Sequence, residues 1–329
     1  MPPAAMPPAS MPSVRSNRLA IMSPLAVFLA APVAVTASQP SVPFVIEETG
    51  AIHQSLQDAV DAIADGEGTI IVNGGTYRQC AVQTAGAITY RAAKPGAAVF
   101  DGTACEGKAA LVLRGRAAAV EGLVFANISV PDRNGAGIRL ENGTLAVSRS
   151  WFRDSEQGIL TAAGQGIALR IDRSTFSRLG TCEGAGGCAH SVYAGDIRDL
   201  TVIASRFEEG RGGHYLKSRA ARNEVRDSSF DDSGGRATNY MIDLPNGGTG
   251  AITGNMFVQG ADKENYSAYI ALGAEGASYS MDGLRIADND AGPVPGLQRR
   301  SVFVADWTGD ALDLGENRLG AGLEPFERR

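Results

Sequence analysis

The sequence predicts an all-β chain wound as a parallel β-helix, a solenoid of short strands, and three observations carry that prediction. The first is a repeat. Phe125, Phe152, Phe176, Phe207, Phe230 and Phe257 mark successive units, and Ala291 and Leu319 continue the series, at spacings of 27, 24, 31, 23, 27, 34 and 28 residues. Two residues before the anchors from Phe152 onward stands Ser150, Ser174, Ser205, Ser228, Asn255, Asn289 or Asn317. Five before every anchor stands an aliphatic residue, from Val120 and Val147 to Ile286 and Leu314. The second is the period. Helical repeats of about 33 to 47 residues carry long 3.6-period runs. Here each unit offers only short alternating stretches such as Leu145-x-Val147 and Leu169-x-Ile171, and the leucine spacing of leucine-rich repeats is absent. The third is composition: 41 glycines and 6% aromatic residues fit many turns between thin strands, while 44% apolar and 20% charged residues exclude a disordered chain.

Taken in order, residues 1–37 read as a secretory signal. Arg15 and Arg18 precede an apolar run from Leu19 to Ala34, broken by Pro24 and Pro32, and Val35-Thr36-Ala37-Ser38 supplies small residues for cleavage. No other stretch approaches the roughly 20 apolar residues of a membrane span. Residues 38–329 are then one exported domain, secreted or periplasmic. Ser55-x-x-Asp58 opens a short N-terminal capping helix with Leu56, Ala59, Val60 and Ile63 on one face, stopped by Gly66 and Gly68. The strand Thr69–Val72, the turn Asn73-Gly74-Gly75 and a second strand follow. A solenoid needs such a cap because its terminal rung otherwise exposes an apolar cross-section.

Export permits disulfides, and the four cysteines form two natural pairs. Cys80 and Cys105 lie 25 residues apart, about one coil, so they can occupy adjacent rungs roughly 4.8 Å apart. Cys182 and Cys188 can pinch a short loop, and C-x5-C-x-H is not a standard zinc spacing. Two coils are overlong. One holds Thr181–Ala189; the other holds Ala261–Ser267 and Gly273–Ser280. In a solenoid such extra residues leave as loops and wall a groove.

Three rungs carry the candidate chemistry. His190-Ser191-Val192-Tyr193, His214-Tyr215-Leu216-Lys217 and Tyr240-Met241-Ile242-Asp243 align so that Val192, Leu216 and Ile242 point inward. Tyr193, Lys217 and Asp243 then stand in one outer line, with Arg219 two residues beyond Lys217 on the same side. Although net charge is -6 and nucleic acid is not an expected partner, Arg206–Arg226 holds six basic residues against three acidic ones. A cationic stripe on a long open surface suits an acidic polysaccharide. Cleaving a uronic-acid polymer by β-elimination needs a cation to neutralise the carboxylate, a base for the adjacent C–H and an acid for the leaving oxygen. Lys217 is the candidate base, with His214 or His190 as alternatives. Arg219 or Arg222 neutralises the carboxylate, and Tyr193 or Tyr215 is the acid. Asn246, Tyr269 and Glu275 are candidate substrate contacts. No cofactor is required; calcium stays open, and Asp288 and Asp290 read as turn residues rather than ligands.

The repeat resembles the pectate-lyase-like right-handed parallel β-helix family over about residues 45–320. Lys217-Ser218 resembles the Lys-Ser pair of alginate- and chondroitin-cleaving β-helix lyases, but those carry Arg one rung on, where this chain has Asp243. The chain is also similar to secreted bacterial β-helix proteins that carry H-x-x-Y-x-G, G-H-x-x-K-S-R-A, D-L-P-N-G-G and G-A-E-G. It has all four, at 190–195, 213–220, 243–248 and 273–276. The resemblance implies a polysaccharide-active site here and leaves the reaction open.

Other readings run beside these. His190, His214 and Tyr240 form one column that strict alternation turns inward as a stacked ladder. Lys217 and Asp243 read equally as a cross-strand ion pair, and Asn246-Gly247-Gly248 as a turn. The non-catalytic alternative is a glycan-binding or structural solenoid in which Tyr193, Tyr215, Tyr269 and Trp307 stack on sugars. A hydrolase needs paired carboxylates, and Glu141 lies two coils from Tyr193. Oligomeric state is not legible.

Overall fold

A computed structural model describes residues 42–329; the segment read as a signal lies outside the described residues. The chain coils into three parallel sheets, one of 12 strands and two of ten, and each coil gives one strand to each sheet. Among the described residues, the only antiparallel pairings between strands are at the start, where Phe44–Ile46 lies between Ile52–His53 and Glu67–Val72. The helix Leu56–Ile63 seats Leu56, Ala59 and Val60 in the core, and the Ser55 side chain accepts the Asp58 amide hydrogen. This end of the interior is thereby covered, as the capping signature requires.

The anchor residues stack in one sheet. Phe125, Phe152, Phe176, Phe207, Phe230 and Phe257 pair register to register, and Ala291 and Leu319 follow. From Phe125 to Phe257 the ring centroids are 4.8 to 5.0 Å apart and nearly parallel. Each such pair contributes roughly 0.5–1.5 kcal/mol beyond area burial. The stack begins earlier than the repeat indicated, with Tyr77 and Phe100. Just inside it runs a polar ladder. The amides of Ser150, Ser174 and Ser205 donate to the next serine hydroxyl, and those of Ser228, Asn255 and Asn289 to the next asparagine carbonyl, at 3.0 to 3.2 Å. The small polar residue is there because a buried corner amide needs an acceptor.

The third sheet holds the motif residues. Leu160, Tyr193, Lys217 and Asp243 are successive partners on its outer face, while Val192, Leu216 and Ile242 point inward. Strict alternation fails at the corner into this sheet. Tyr215 and Leu216, Met241 and Ile242, Tyr269 and Ile270, and Phe303 and Val304 all lie in one core cluster. Two consecutive residues turn inward there, which moves the preceding column, His190, His214 and Tyr240, to the outer side.

Both disulfides form. Cys80–Cys105 joins adjacent rungs with Cα atoms 5.5 Å apart, and Cys182–Cys188 closes the Thr181–Ala189 loop. Among the described residues, no helix is long and apolar enough to cross a membrane.

Candidate functional site

Eight of the candidate residues meet on the outer face of the third sheet. Lys217 is the hub. Its ammonium lies 3.2 Å from Asp243 Oδ2 and donates to Glu275 Oε1 at 2.5 Å. Arg219 reaches back over the previous rung, donating from Nε to the Tyr193 hydroxyl at 2.9 Å and from its terminal nitrogens to Asn246 Oδ1 and Glu275 Oε2. Both cations also lie about 6 Å from the centre of the Tyr193 ring. Below them, His190 stacks on His214 and His214 on Tyr240. The His214 amide donates to His190 Nδ1 at 3.0 Å, which places the His190 ring proton on Nε2. His214 Nε2 is 3.3 Å from Asp243 Oδ2.

Glu275 arrives from far away in sequence. It sits on the strap Gly273–Ser280, whose Ser278 and Tyr279 amides donate to the Asn246 carbonyl. The Tyr279 hydroxyl donates to Asp196 at 2.6 Å. Gly247, at φ +82°, lies so close to the strap that a Cβ there would be 2.2 Å from the Tyr279 carbonyl oxygen. The turn 245–248 is therefore both a turn and the strap's seat.

Electrostatics distinguish the members. Burial pushes His190 down to about 3, aided by the Lys217 charge, and holds His214 well below its usual range, aided by His190 and Lys217. Both imidazoles are neutral at pH 7. Burial pushes Asp243 up to about 6, with Lys217 pulling the other way. For Lys217, burial works downward, but Asp243 and Glu275 outweigh it and the net displacement is upward. The candidate base is therefore protonated at rest: two carboxylates hold the amine in that state. Glu275 is raised by burial and lowered more by Lys217 and Arg219. His214 Nδ1 and Asp243 Oδ1 are buried with no hydrogen-bond partner.

Three expected contacts are not here. Tyr215 and Tyr269 are each 1% exposed and belong to the core, because the corner turns them inward; neither can stack on a sugar. The Tyr215 hydroxyl instead donates to Asp232 at 2.7 Å. Arg222 begins the next strand, on the 12-stranded sheet, where it pairs with Glu224. Trp307 stays on the outer side of the third sheet, but the Arg329 guanidinium lies 4.9 Å from its ring centre. Cys182 and Cys188 are joined to each other, so the zinc reading does not hold at that spacing.

Beside Tyr193 and Arg219 opens a groove of about 550 Å³. Its floor continues over Leu160 to Arg139, with Lys108 at the edge, and the disulfide loop contributes Gly186 and Cys188 to its wall. No family model and no curated protein sequence matches the chain. Among solved structures it is similar to an alginate lyase from Paenibacillus sp. str. FPU-7, with a TM-score of 0.59 at 16% identity, over 83% of this chain and 94% of that one. It also matches ORF18 of Geobacillus virus E2, with a TM-score of 0.48 at 16% identity, over 82% of this chain and 55% of that one. At such identity the likeness to the alginate lyase is one of fold, the β-solenoid of a polysaccharide lyase.

Proposed function

We propose that the protein is an exported lyase that cleaves an acidic polysaccharide by β-elimination. The observation that carries the reading is Glu275. A carboxylate already sits between Lys217 and Arg219, beside the Tyr193 hydroxyl, and a uronate carboxylate offers the same two oxygens to the same donors. When substrate takes that place, Arg219 neutralises its charge and acidifies the adjacent C–H. Lys217, protonated at rest, must first give a proton to Asp243, 3.2 Å away and pushed up to about 6 by burial, an uphill transfer that adds to the barrier. The free amine then removes the C–H proton. Tyr193 accepts the Arg219 Nε–H, which leaves its own proton free to be given to the leaving oxygen. The likeness in fold to an alginate lyase and the two disulfides fit this reading and an oxidising, extracytoplasmic setting.

A second reading, a glycan binder that does not cleave, is favoured by the resting ionisation of Lys217. Incubation with a panel of polyuronates, with and without calcium, separates the two. A lyase generates the ultraviolet absorbance of an unsaturated uronate, and Lys217→Ala removes it while the melting temperature stays within a few degrees. Retention on the polymer with no absorbance from the unmodified protein supports the binder.

A further inference from the structure

We infer a second carboxylate subsite at Arg139, two rungs along the groove from Tyr193. The inference rests on the uronate reading above. Arg139, Leu160 and Tyr193 are consecutive register partners, so at roughly 4.8 Å per rung Arg139 stands about 10 Å from the Tyr193 rung. That rung is where Arg219 delivers its guanidinium. Two linked pyranose rings span the same length, so a polymer lying along the groove brings a second carboxylate to Arg139.

The state of Arg139 distinguishes it from the other arginines near the groove. Its Nε is buried with no hydrogen-bond partner. The carboxylate within reach is Glu141, whose Oε1 is 3.6 Å away and already bound at 2.9 Å by Lys108, and whose Oε2 takes Arg114 at 2.6 Å. In this group Lys108, Arg114 and Arg139 face Glu106 and Glu141, and the cation left over is Arg139. The side chain as a whole is 26% exposed, so a ligand carboxylate can take the exposed part of a guanidinium whose nearest protein carboxylate is already held by Lys108 and Arg114. Leu160, between Arg139 and Tyr193 on the groove floor, gives the intervening sugar an apolar platform.

The ligand is therefore a chain at least three residues long with carboxylates on two sugars separated by one. The test is calorimetric binding of a uronate disaccharide and pentasaccharide in a Tyr193→Phe background, which slows cleavage. Arg139→Gln is expected to weaken the pentasaccharide on the order of tenfold and leave the disaccharide unchanged, with Arg139→Lys in between. The disaccharide serves as the internal check of folding. Unchanged pentasaccharide binding overturns the subsite and leaves the lyase reading standing. Equal weakening of both ligands overturns the two-rung spacing. If the protein with Arg139 intact binds neither, the uronate reading falls and the subsite with it.

Discussion

Two lysine–aspartate pairs lie close together in the chain and show opposite workmanship. Asp232 and Lys263 are buried and fully satisfied. Asp232 Oδ1 accepts from the Tyr215 and Thr238 hydroxyls, both at 2.7 Å, and Oδ2 accepts from the Gly260 amide and Lys263, both at 3.1 Å. Lys263 also donates to Thr238 Oγ1 at 3.0 Å and to the Asn239 carbonyl at 2.5 Å. Lys217 and Asp243 are nearly as buried, yet Asp243 Oδ1 and the neighbouring His214 Nδ1 have no partner. A further ligand of Lys217 is Glu275 on the strap, whose side chain is 45% exposed. A closed polar network fixes a corner of the fold. A network left partly open costs stability and is retained where chemistry uses it.

Substitutions that treat the pairs alike should separate them. The largest effect is expected from Lys217→Ala, which lowers elimination activity by about a thousandfold in steady-state assays while the melting temperature stays within a few degrees. Next is Asp232→Ala, which leaves Lys263 buried and uncompensated and should cost about 3 to 5 kcal/mol in denaturant unfolding, with activity per folded molecule retained.

Asp243→Asn should reverse that pattern. Its folded-state pKa is raised from 3.8 to about 6, so the folded protein binds this proton more tightly than the unfolded chain. The contribution of Asp243 to stability is therefore greatest at low pH and is lost as pH rises through about 6. Asparagine removes the cost of the buried charge, so thermal stability at pH 7 should be unchanged or higher, with activity down about a hundredfold. In the unmodified protein, activity should fall as pH drops through about 6, because protonated Asp243 cannot take a proton from Lys217. A pH–rate profile checks this, and an acid limb that stays in place in Asp243→Asn counts against the assignment. The smallest effect is expected from Glu275→Gln. With a weaker internal competitor for Lys217 and Arg219, KM should fall a few-fold and kcat should change little.

The fold was legible because its signals are local and repeated. The Phe column, the Ser/Asn ladder and the β-branched column keep fixed offsets within each coil. The line Tyr193, Lys217, Asp243 was also legible, since the three short motifs align on one another. The other parts of the site were hidden for definable reasons. Tyr215 and Tyr269 were misplaced because the corner buries two residues in succession. Arg222 was misplaced because the chain turns into the next sheet within three residues of Arg219. Arg139 was missed because the corner from the Phe column to the third sheet varies in length, so Arg139, Leu160 and Tyr193 follow their Phe anchors by 14, 8 and 17 residues. Glu275 was named as a contact, but its bridging of Lys217 and Arg219 spans more than 50 residues and leaves no periodic trace. The Asp232–Lys263 pair was not named at all, since nothing in its spacing separates a buried lysine from an exposed one.

The central claim is that the Lys217 cluster breaks a polyuronate by elimination, and the mass of the products tests it most directly. The account predicts oligosaccharides whose new non-reducing ends are one water lighter than hydrolysis would leave, formed at the same rate as new reducing ends. Products carrying the full mass of the added water, or an intact polymer that the protein binds and never shortens, would contradict it.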